Sequence, residues 1–248
     1  MSNLKLDNIV FIGRDKKSDV NLINGVNVIC GASDTGKSYL AEAIDYMLGG
    51  SKLRPIPEAD KYDRIMLEIT SGEKSYIITR SINGGDFSLI NSDNINEKVE
   101  PLILNATHEH GRTDNLSGFL LEKIGLLNKK ILFSSSKLTT RSLSFRNIAR
   151  LVIIQEEEIQ TKGSPFWDGE FTLKTSELAT IKLLLSGNDD SSIVAVSRSE
   201  QTPKYNIQYI DEIINEYKEE ISNYEKEDNL IKQLQRITKT IDEQNVSL

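Results

Sequence analysis

Cysteine is almost absent from this chain of 248 residues, and the single one, Cys30, excludes an intrachain disulfide. No apolar run approaches about 18 residues, which predicts that no helix spans a membrane. The N-terminal residues lack the apolar core of a signal peptide and instead predict a first strand. These absences are typical of a soluble cytoplasmic protein, in which we expect Cys30 to pack as a small hydrophobic residue.

Positive charge is also in the minority, because 30 basic residues face 37 acidic ones and the formal net charge is −7. Such a balance disfavours nucleic-acid binding by the whole surface. Residues 123–154 depart from it, because they contain seven basic residues and no acidic one. They predict a local nucleic-acid contact, with these DNA-binding candidates: Lys129, Lys130, Lys137, Arg141, Arg146 and Arg150. The alternative is a solvated face that pairs with acidic neighbours.

Residues 31–38 read GASDTGKS and match the phosphate-binding P-loop pattern, G-x-x-x-x-G-K-[ST]. Gly31 and Gly36 permit a tight turn, so that the N–H groups of the loop form an anion nest. Lys37 supplies a charge for the β- and γ-phosphates of ATP, and the Ser38 hydroxyl is a ligand for Mg²⁺. The predicted nucleotide contacts are Gly31, Ala32, Ser33, Asp34, Thr35, Gly36, Lys37, Ser38 and, after the first strand, Arg14. Lys16 and Lys17 are equal candidates to Arg14.

The two flanks of the P-loop predict a strand before it and a helix after it. Residues 26–30 are apolar and largely β-branched, which suits a buried strand. After the loop, apolar residues recur at helical spacing as far as Leu48, and the glycines at 49–50 predict the end of the helix. Strand, glycine loop and helix together are the context that a nucleoside triphosphate site needs.

Residues 1–200 as a whole predict an α/β fold, which we expect to be a P-loop NTPase domain. Alternating apolar residues predict strands, and apolar residues at helical spacing predict helices. The predicted elements are a strand at 4–11, a hairpin of 64–69 and 75–79, a further strand within 81–91, a helix at 116–127 capped by Asp114 or Asn115, and a helix at 176–185 ended by Gly187.

Residues 201–248 have a different character. From residue 200 onward there are eleven acidic residues, six basic residues and no glycine. Apolar side chains step by four and three in a heptad seam formed by Ile210, Ile214, Tyr217, Ile221 and Tyr224. The pattern predicts a long helix over residues 205–243 with an irregularity at 225–229. We expect a protruding coiled-coil arm, and the alternative is an amphipathic helix packed on the domain surface.

A second candidate for chemistry follows the apolar run at residues 151–154. The run ends at Gln155 and precedes three glutamates. Residues 144–154 mix helix and strand signals. We interpret the run at 151–154 as a strand that delivers a neutral amide to a loop, where the carbonyl oxygen of Gln155 can ligate Mg²⁺ near the γ-phosphate. A solvated acidic turn is the alternative.

The order of these features resembles the N-terminal lobe of the ABC-type ATPase head found in SMC and DNA-repair coiled-coil ATPases. In that family, GASDTGKS corresponds to the Walker A loop and Gln155 to the Q-loop glutamine. The resemblance implies that Mg²⁺-ATP is sandwiched between two heads of a homodimer. It also implies action on double-stranded DNA, in repair, chromosome maintenance or antiviral defence.

The chain departs from that family in two motifs. We find no complete LSGG signature and no apolar strand that ends in Asp-Glu, the Walker B pattern. In the family both lie in a C-terminal lobe, so we expect that lobe, from the same or a partner chain, to bind this one and to supply the catalytic Glu. The chain is then an ATPase that is inactive alone. The alternatives are a stand-alone P-loop module or kinase-like enzyme, and an ATP-dependent dimerisation module that does not bind DNA.

Overall fold

The computed structural model describes residues 3–33, 35–92, 100–154, 159, 164, 166–167, 169–193, 209–211, 213–215, 217–218 and 235–236. The chain divides into two compact units, Met1–Ala195 and Val196–Leu248. Among the described residues, no helix has the length and apolar character needed to cross a membrane.

The described strands and helices of the first unit form two sheets with helices packed on them. The elements in chain order are β1 (Leu4–Ile12), β2 (Lys17–Asn21), α1 (Lys37–Met47), β3 (Arg64–Ser71), β4 (Lys74–Ser81), β5 (Gly84–Asn91), β6 (Leu102–Leu104), α2 (Leu116–Lys123), β7 (Lys130–Ser134), β8 (Thr139–Ser142), α3 (Phe145–Val152) and α4 (Phe171–Ser186). A short 3-10 helix, Pro57–Lys61, precedes β3. The sheets have the orders β2-β1-β3-β4-β5-β6 and β7-β8, and their neighbouring strands are antiparallel.

The predicted first strand, the hairpin and the strand after it are confirmed as β1, β3 with β4, and β5. Side chains alternate along β3, where Ile65, Leu67 and Ile69 are fully buried. Leu67 lies opposite Ile78 of β4, which in turn lies opposite Leu89 of β5. α1 packs on this apolar face and contributes to the same core. The central sheet is therefore the platform on which the P-loop helix lies.

Two predicted helices are confirmed with shifted ends. α2 begins after Asn115, whose side-chain oxygen accepts a hydrogen bond from the Gly118 N–H at 2.8 Å. It ends at Lys123 and not at residue 127, because Gly125 follows with a φ of 75°. α4 begins at Phe171, earlier than predicted, and ends before Gly187, whose φ is 74°.

Residues 26–30 do not form the predicted buried strand. Val26 is 87% exposed and Val28 78% exposed, and the segment belongs to no sheet. Cys30 is exposed too, so its predicted packing is wrong. The physical reason is that a strand needs a neighbour to pair its backbone groups. The segment pairs with no described strand, not even with β2 or β6 at the two edges of the larger sheet.

The predicted strand at residues 151–154 is also wrong. Leu151 and Val152 are the last two residues of α3, and Ile153 is its C-cap in an extended conformation. The helix is initiated upstream, where the Ser144 N–H donates a hydrogen bond to Asn147 Oδ1 at 3.0 Å. Because this cap starts the helix upstream, the first two residues of the apolar run form its last turn, and the helix ends there. Gln155 itself lies outside the described residues.

The predicted arm is described only in part. Residues 209–211, 213–215, 217–218 and 235–236 are helical, in agreement with the predicted helix. Three residues of the predicted seam fall in this part and are partly exposed: Ile210 at 54%, Ile214 at 42% and Tyr217 at 50%. Ile221 and Tyr224 lie outside the described residues, so the coiled coil stays a prediction.

Candidate nucleotide-binding site

The P-loop lies at the N-terminal end of α1, where the first backbone N–H groups have no partner within the helix. Gly36 is the N-cap residue of α1 and has a left-handed conformation, with φ of 86° and ψ of 10°. Among the described residues no side chain caps the helix, and its first turn contains no acidic residue. The start of α1 is therefore open to a phosphate, which the helix dipole favours.

The side chain of Lys37 turns back into the loop that precedes it. Its Nζ donates hydrogen bonds to the carbonyl oxygens of Gly31, at 2.9 Å, and of Ala32. A third contact, of 3.3 Å, joins Nζ to Thr35 Oγ1. Gly31 has no room for a side chain, because a Cβ there would lie 2.6 Å from Thr35 Oγ1. The loop thus forms a narrow cradle with an ammonium group inside it.

These residues fit the triphosphate of ATP together with Mg²⁺. The described residues of the P-loop are all exposed, and Asp34 lies outside the described part. The loop N–H groups and Lys37 are hydrogen-bond donors, as a phosphate requires. Ser38, exposed in the first turn of α1, offers a hydroxyl oxygen, the kind of ligand that Mg²⁺ prefers.

The opposite end of α1 is fastened to the sheet by Arg80 of β4, which is only 6% exposed. Its Nη1 donates to the carbonyl oxygens of Tyr46, at 3.1 Å, and Gly50, at 2.7 Å, and its Nε donates to that of Gly85. The guanidinium carbon lies 4.1 Å from the ring centroid of Tyr46 and 4.4 Å from that of Phe87. Burial lowers the pKa of Arg80. The hydrogen bonds and the two rings compensate for the lost hydration of the charge.

A second arginine ties the same end of α1 to α3. Arg146 Nη1 donates to Asp45 Oδ1 at 2.7 Å, and its Nη2 donates to Asp45 Oδ2 at 3.2 Å. Such a bidentate pair fixes orientation as well as distance. Together with Arg80, this pair holds the C-terminal turn of α1 in place, so that the P-loop lies at the free end of an anchored helix.

The predicted DNA-binding residues fall into two groups. Arg146 and Arg150 of α3 form ion pairs within the protein, with Asp45 and Glu177 respectively. Arg141 donates a hydrogen bond to the Ser176 hydroxyl, so the three arginines all have protein partners. The lysines differ: Lys129, Lys130 and Lys137 lie at or near the β7–β8 hairpin and form no ion pair with another described residue.

The two remaining predicted contacts are Arg14 and Gln155, and Gln155 lies outside the described residues. Arg14 is exposed in the turn between β1 and β2, and no described contact joins it to the P-loop. Lys16, the alternative candidate, has its Nζ 5.5 Å from the ring centroid of Tyr62. The nucleotide contact of Arg14 and the Mg²⁺ contact of Gln155 both stay predictions.

Sequence reasoning missed Arg80, although the pattern contained a signal. Tyr76, Ile78 and Arg80 are spaced by two residues, so they share one face of β4. A charged residue at the end of an apolar face predicts a buried charge that needs partners. Its partners are backbone carbonyls at the end of α1, which no sequence pattern specifies.

Comparison with curated proteins gives no significant match. A family model described as an AAA domain matches residues 3–247, nearly the whole chain. The match agrees with the exposed P-loop at the start of α1 and with the combination of sheet and helices. The chain therefore belongs to the AAA domain family and is a nucleotide-binding, P-loop ATPase-type domain.

Proposed function

We propose that the chain is the ATP-binding lobe of an SMC-like ATPase head, completed by a C-terminal lobe. The observation that carries this proposal is the exposure of the apolar residues just before the P-loop, Val26 at 87% and Val28 at 78%. Exposed apolar surface next to a ligand site marks a place where another segment binds. A strand from a second lobe would pair with residues 26–30 and bury these side chains.

In the completed head, this lobe holds the phosphates of ATP and the other lobe supplies the missing chemistry. The loop N–H groups and Lys37 bind the phosphates, and Ser38 and Gln155 ligate Mg²⁺. Bound there, Mg²⁺ would supply positive charge that offsets the charge of the phosphates. The catalytic Glu and the signature motif come from the C-terminal lobe, the signature from that of a second head in a homodimer.

The first experiment measures binding and hydrolysis of Mg²⁺-ATP by the chain alone. We expect weak binding that Lys37→Ala reduces, and almost no hydrolysis, because the catalytic Glu is supplied elsewhere. Addition of the C-terminal lobe should restore turnover. Rapid turnover by the isolated chain, abolished by Lys37→Ala, would exclude the half-site arrangement and favour a stand-alone P-loop enzyme.

Residues 201–248 would form the start of the coiled-coil arm, and residues 1–200 the lobe itself. We propose that ATP-dependent dimerisation brings two such lobes to one DNA duplex. The lysines that form no described ion pair are better placed to contact DNA phosphates than Arg146 and Arg150, whose charges Asp45 and Glu177 already offset. The proposed duplex contacts are therefore Lys129, Lys130 and Lys137.

A salt titration of duplex DNA binding tests this contact. The ATP-bound protein should bind duplex with an affinity that falls steeply with salt, by a log–log slope of about −0.9 for each phosphate neutralised. A triple alanine variant at Lys129, Lys130 and Lys137 should show a shallower slope and weaker binding. The matched control is a triple alanine variant at the exposed lysines Lys52, Lys61 and Lys74. Equal slopes in both variants would favour a dimerisation module without DNA binding.

A further inference from the structure

A cavity of about 1030 Å³ opens beside α3, and none of the described P-loop residues lines it. Its volume is at the upper end of the range of ligand pockets in proteins. Polar and apolar residues face it from several elements of the first unit, including β8, α3 and α4. The cavity is therefore a second concave site, distinct from the cradle of the P-loop.

The described wall of this cavity has an excess of positive charge. Arg141, Arg146 and Arg150 line it, and Glu177 is the only carboxylate among its described lining residues. Asp45, which pairs with Arg146, is not among them. Among the described lining residues, three guanidinium groups therefore face one carboxylate, and Asp45 and Glu170 offset part of this positive charge from outside the wall. An anion bound at this wall would meet charged hydrogen-bond donors, which favour its binding.

Arg141 is the residue best placed to contact such an anion. Its Nη2 donates a hydrogen bond of 3.0 Å to the Ser176 hydroxyl, a neutral partner, and its guanidinium carbon lies 5.2 Å from the Phe133 ring centroid. A guanidinium has five N–H donors, and this is the one hydrogen bond that Arg141 forms with described residues. Burial lowers the pKa of Arg141, which means that its charge is poorly hydrated.

The same cavity has an aromatic wall. Phe166 and Trp167 line it. Trp167 is held in place by an edge-to-face contact with Phe171, with ring centroids 5.5 Å apart, and by Lys174, whose Nζ lies 4.5 Å from the Trp167 centroid. Aromatic rings stack on nucleobases of any sequence, and guanidinium groups bind phosphate. The two walls together suit a ligand that carries both a base and a phosphate.

We propose that this cavity binds a phosphorylated nucleotide unit, with its phosphate on Arg141 and its base against Trp167 and Phe166. The unit is either a free mononucleotide or the 5′-phosphorylated end of a single strand of DNA. It is a different site from the P-loop, and it goes beyond the proposed duplex contact, which rests on lysines outside the cavity wall.

The test uses fluorescence anisotropy on the full chain with Lys37→Ala, so that the weakened P-loop competes less for the probe. The probes are a labelled ten-nucleotide thymidine strand with a 5′-phosphate, the same strand with a 5′-hydroxyl, and unlabelled thymidine monophosphate as competitor. Preference for the 5′-phosphate by about tenfold or more supports binding of a DNA end. Competition by the mononucleotide at an affinity equal to that of the phosphorylated strand supports a free nucleotide.

Two substitutions of opposite sign make the test specific to the cavity. Arg141→Gln should weaken binding of the phosphorylated probe about tenfold, because it removes a charge-assisted contact. Glu177→Gln should strengthen it severalfold, because it removes the carboxylate that competes with the ligand for guanidinium groups. Arg64→Gln, at an exposed arginine of β3, is the matched control and should change nothing.

The proposal fails if the 5′-phosphate makes no difference and the mononucleotide does not compete. It also fails if Arg141→Gln and Arg64→Gln bind equally well, or if Glu177→Gln does not gain affinity. If a thermal melt shows that Arg141→Gln does not fold, the higher affinity for the phosphorylated probe that we expect of Glu177→Gln still tests the proposal. A loss of duplex binding in the lysine variant leaves all these outcomes unchanged, so the two proposals fail separately.

Discussion

The two ends of α1 differ sharply in burial and in contacts. At the C-terminal end, Tyr46, Met47 and Leu48 are at most 5% exposed, and Arg80 and Arg146 bind the last turn from two sides. At the N-terminal end, all described residues of the P-loop are exposed. Stability and ligand binding are therefore separated along one helix, because the anchored end fixes the position of a loop that is left open.

The largest effect is expected from breaking the anchored end at Arg80. Arg80→Met should lower the free energy of unfolding by about 3 kcal/mol, because it leaves the buried carbonyl groups of Tyr46 and Gly50 without their donor. The matched control Arg64→Met, at an exposed arginine of β3, should cost less than about 0.5 kcal/mol. Urea denaturation measures both, and equal losses would show that Arg80 is not the anchor.

Lys37→Ala should have the opposite profile, with a large effect on binding and little on stability. Its contacts are with loop oxygens at an exposed site, so the free energy of unfolding should change by less than about 0.5 kcal/mol. Affinity for Mg²⁺-ATP should fall by about ten- to a hundredfold, since a charge-assisted phosphate contact is lost. Isothermal titration calorimetry beside a urea melt measures both quantities. A strong loss of stability would contradict the separation of the two ends.

A smaller effect is expected at the ion pair between Asp45 and Arg146. The two side chains are 27% and 40% exposed, so solvent screens the pair and its contribution should be about 1 kcal/mol or less. A double-mutant cycle with Asp45→Asn and Arg146→Gln measures the coupling energy by urea denaturation. A coupling near zero would leave Arg80 as the one effective anchor of the two.

The smallest effect concerns His108, which lines the cavity beside α3 and lies 3.1 Å from the Ser142 hydroxyl through its Nε2. Burial lowers the pKa of His108 below 6.5, so the unfolded chain binds the proton more readily than the folded one. The stabilisation is therefore complete above pH 6.5 and is lost as the pH falls through the lowered pKa. Thermal melts between pH 8 and pH 5 should show a steeper decline for the wild type than for His108→Gln. Parallel declines would contradict the burial of this side chain.

The sequence predicted those parts of the fold in which local pattern and tertiary packing agree. The hairpin of β3 and β4 follows from alternating apolar residues around Gly72, whose φ is 62°. The end of α4 follows from Gly187, and the start of α2 from Asn115. At these places the backbone conformation that the residue type favours is also the one that the core requires. Local preference and packing then favour the same backbone conformation.

The predictions from sequence were wrong where a segment needs a pairing partner that its own residue pattern does not specify. Residues 26–30 have strand-forming residues, yet a strand also requires a neighbouring backbone to pair with. At residues 151–154 the same kind of apolar run became the end of a helix, because Ser144 and Asn147 had begun the helix upstream. β-propensity describes how a side chain fits a pleated surface, and it does not supply that surface.

The P-loop could be identified from the residues alone, because glycine geometry, the lysine charge and the serine hydroxyl are properties of residue types at fixed spacing. Which basic side chains form ion pairs or hydrogen bonds inside the protein, and which stay at the surface, depends on the folded structure. Arg80, Arg146 and Arg150 look alike in the sequence as single positive charges. Their roles follow from which carbonyls and carboxylates the fold brings within hydrogen-bond distance, since the energy of a charge depends on its partners and its burial.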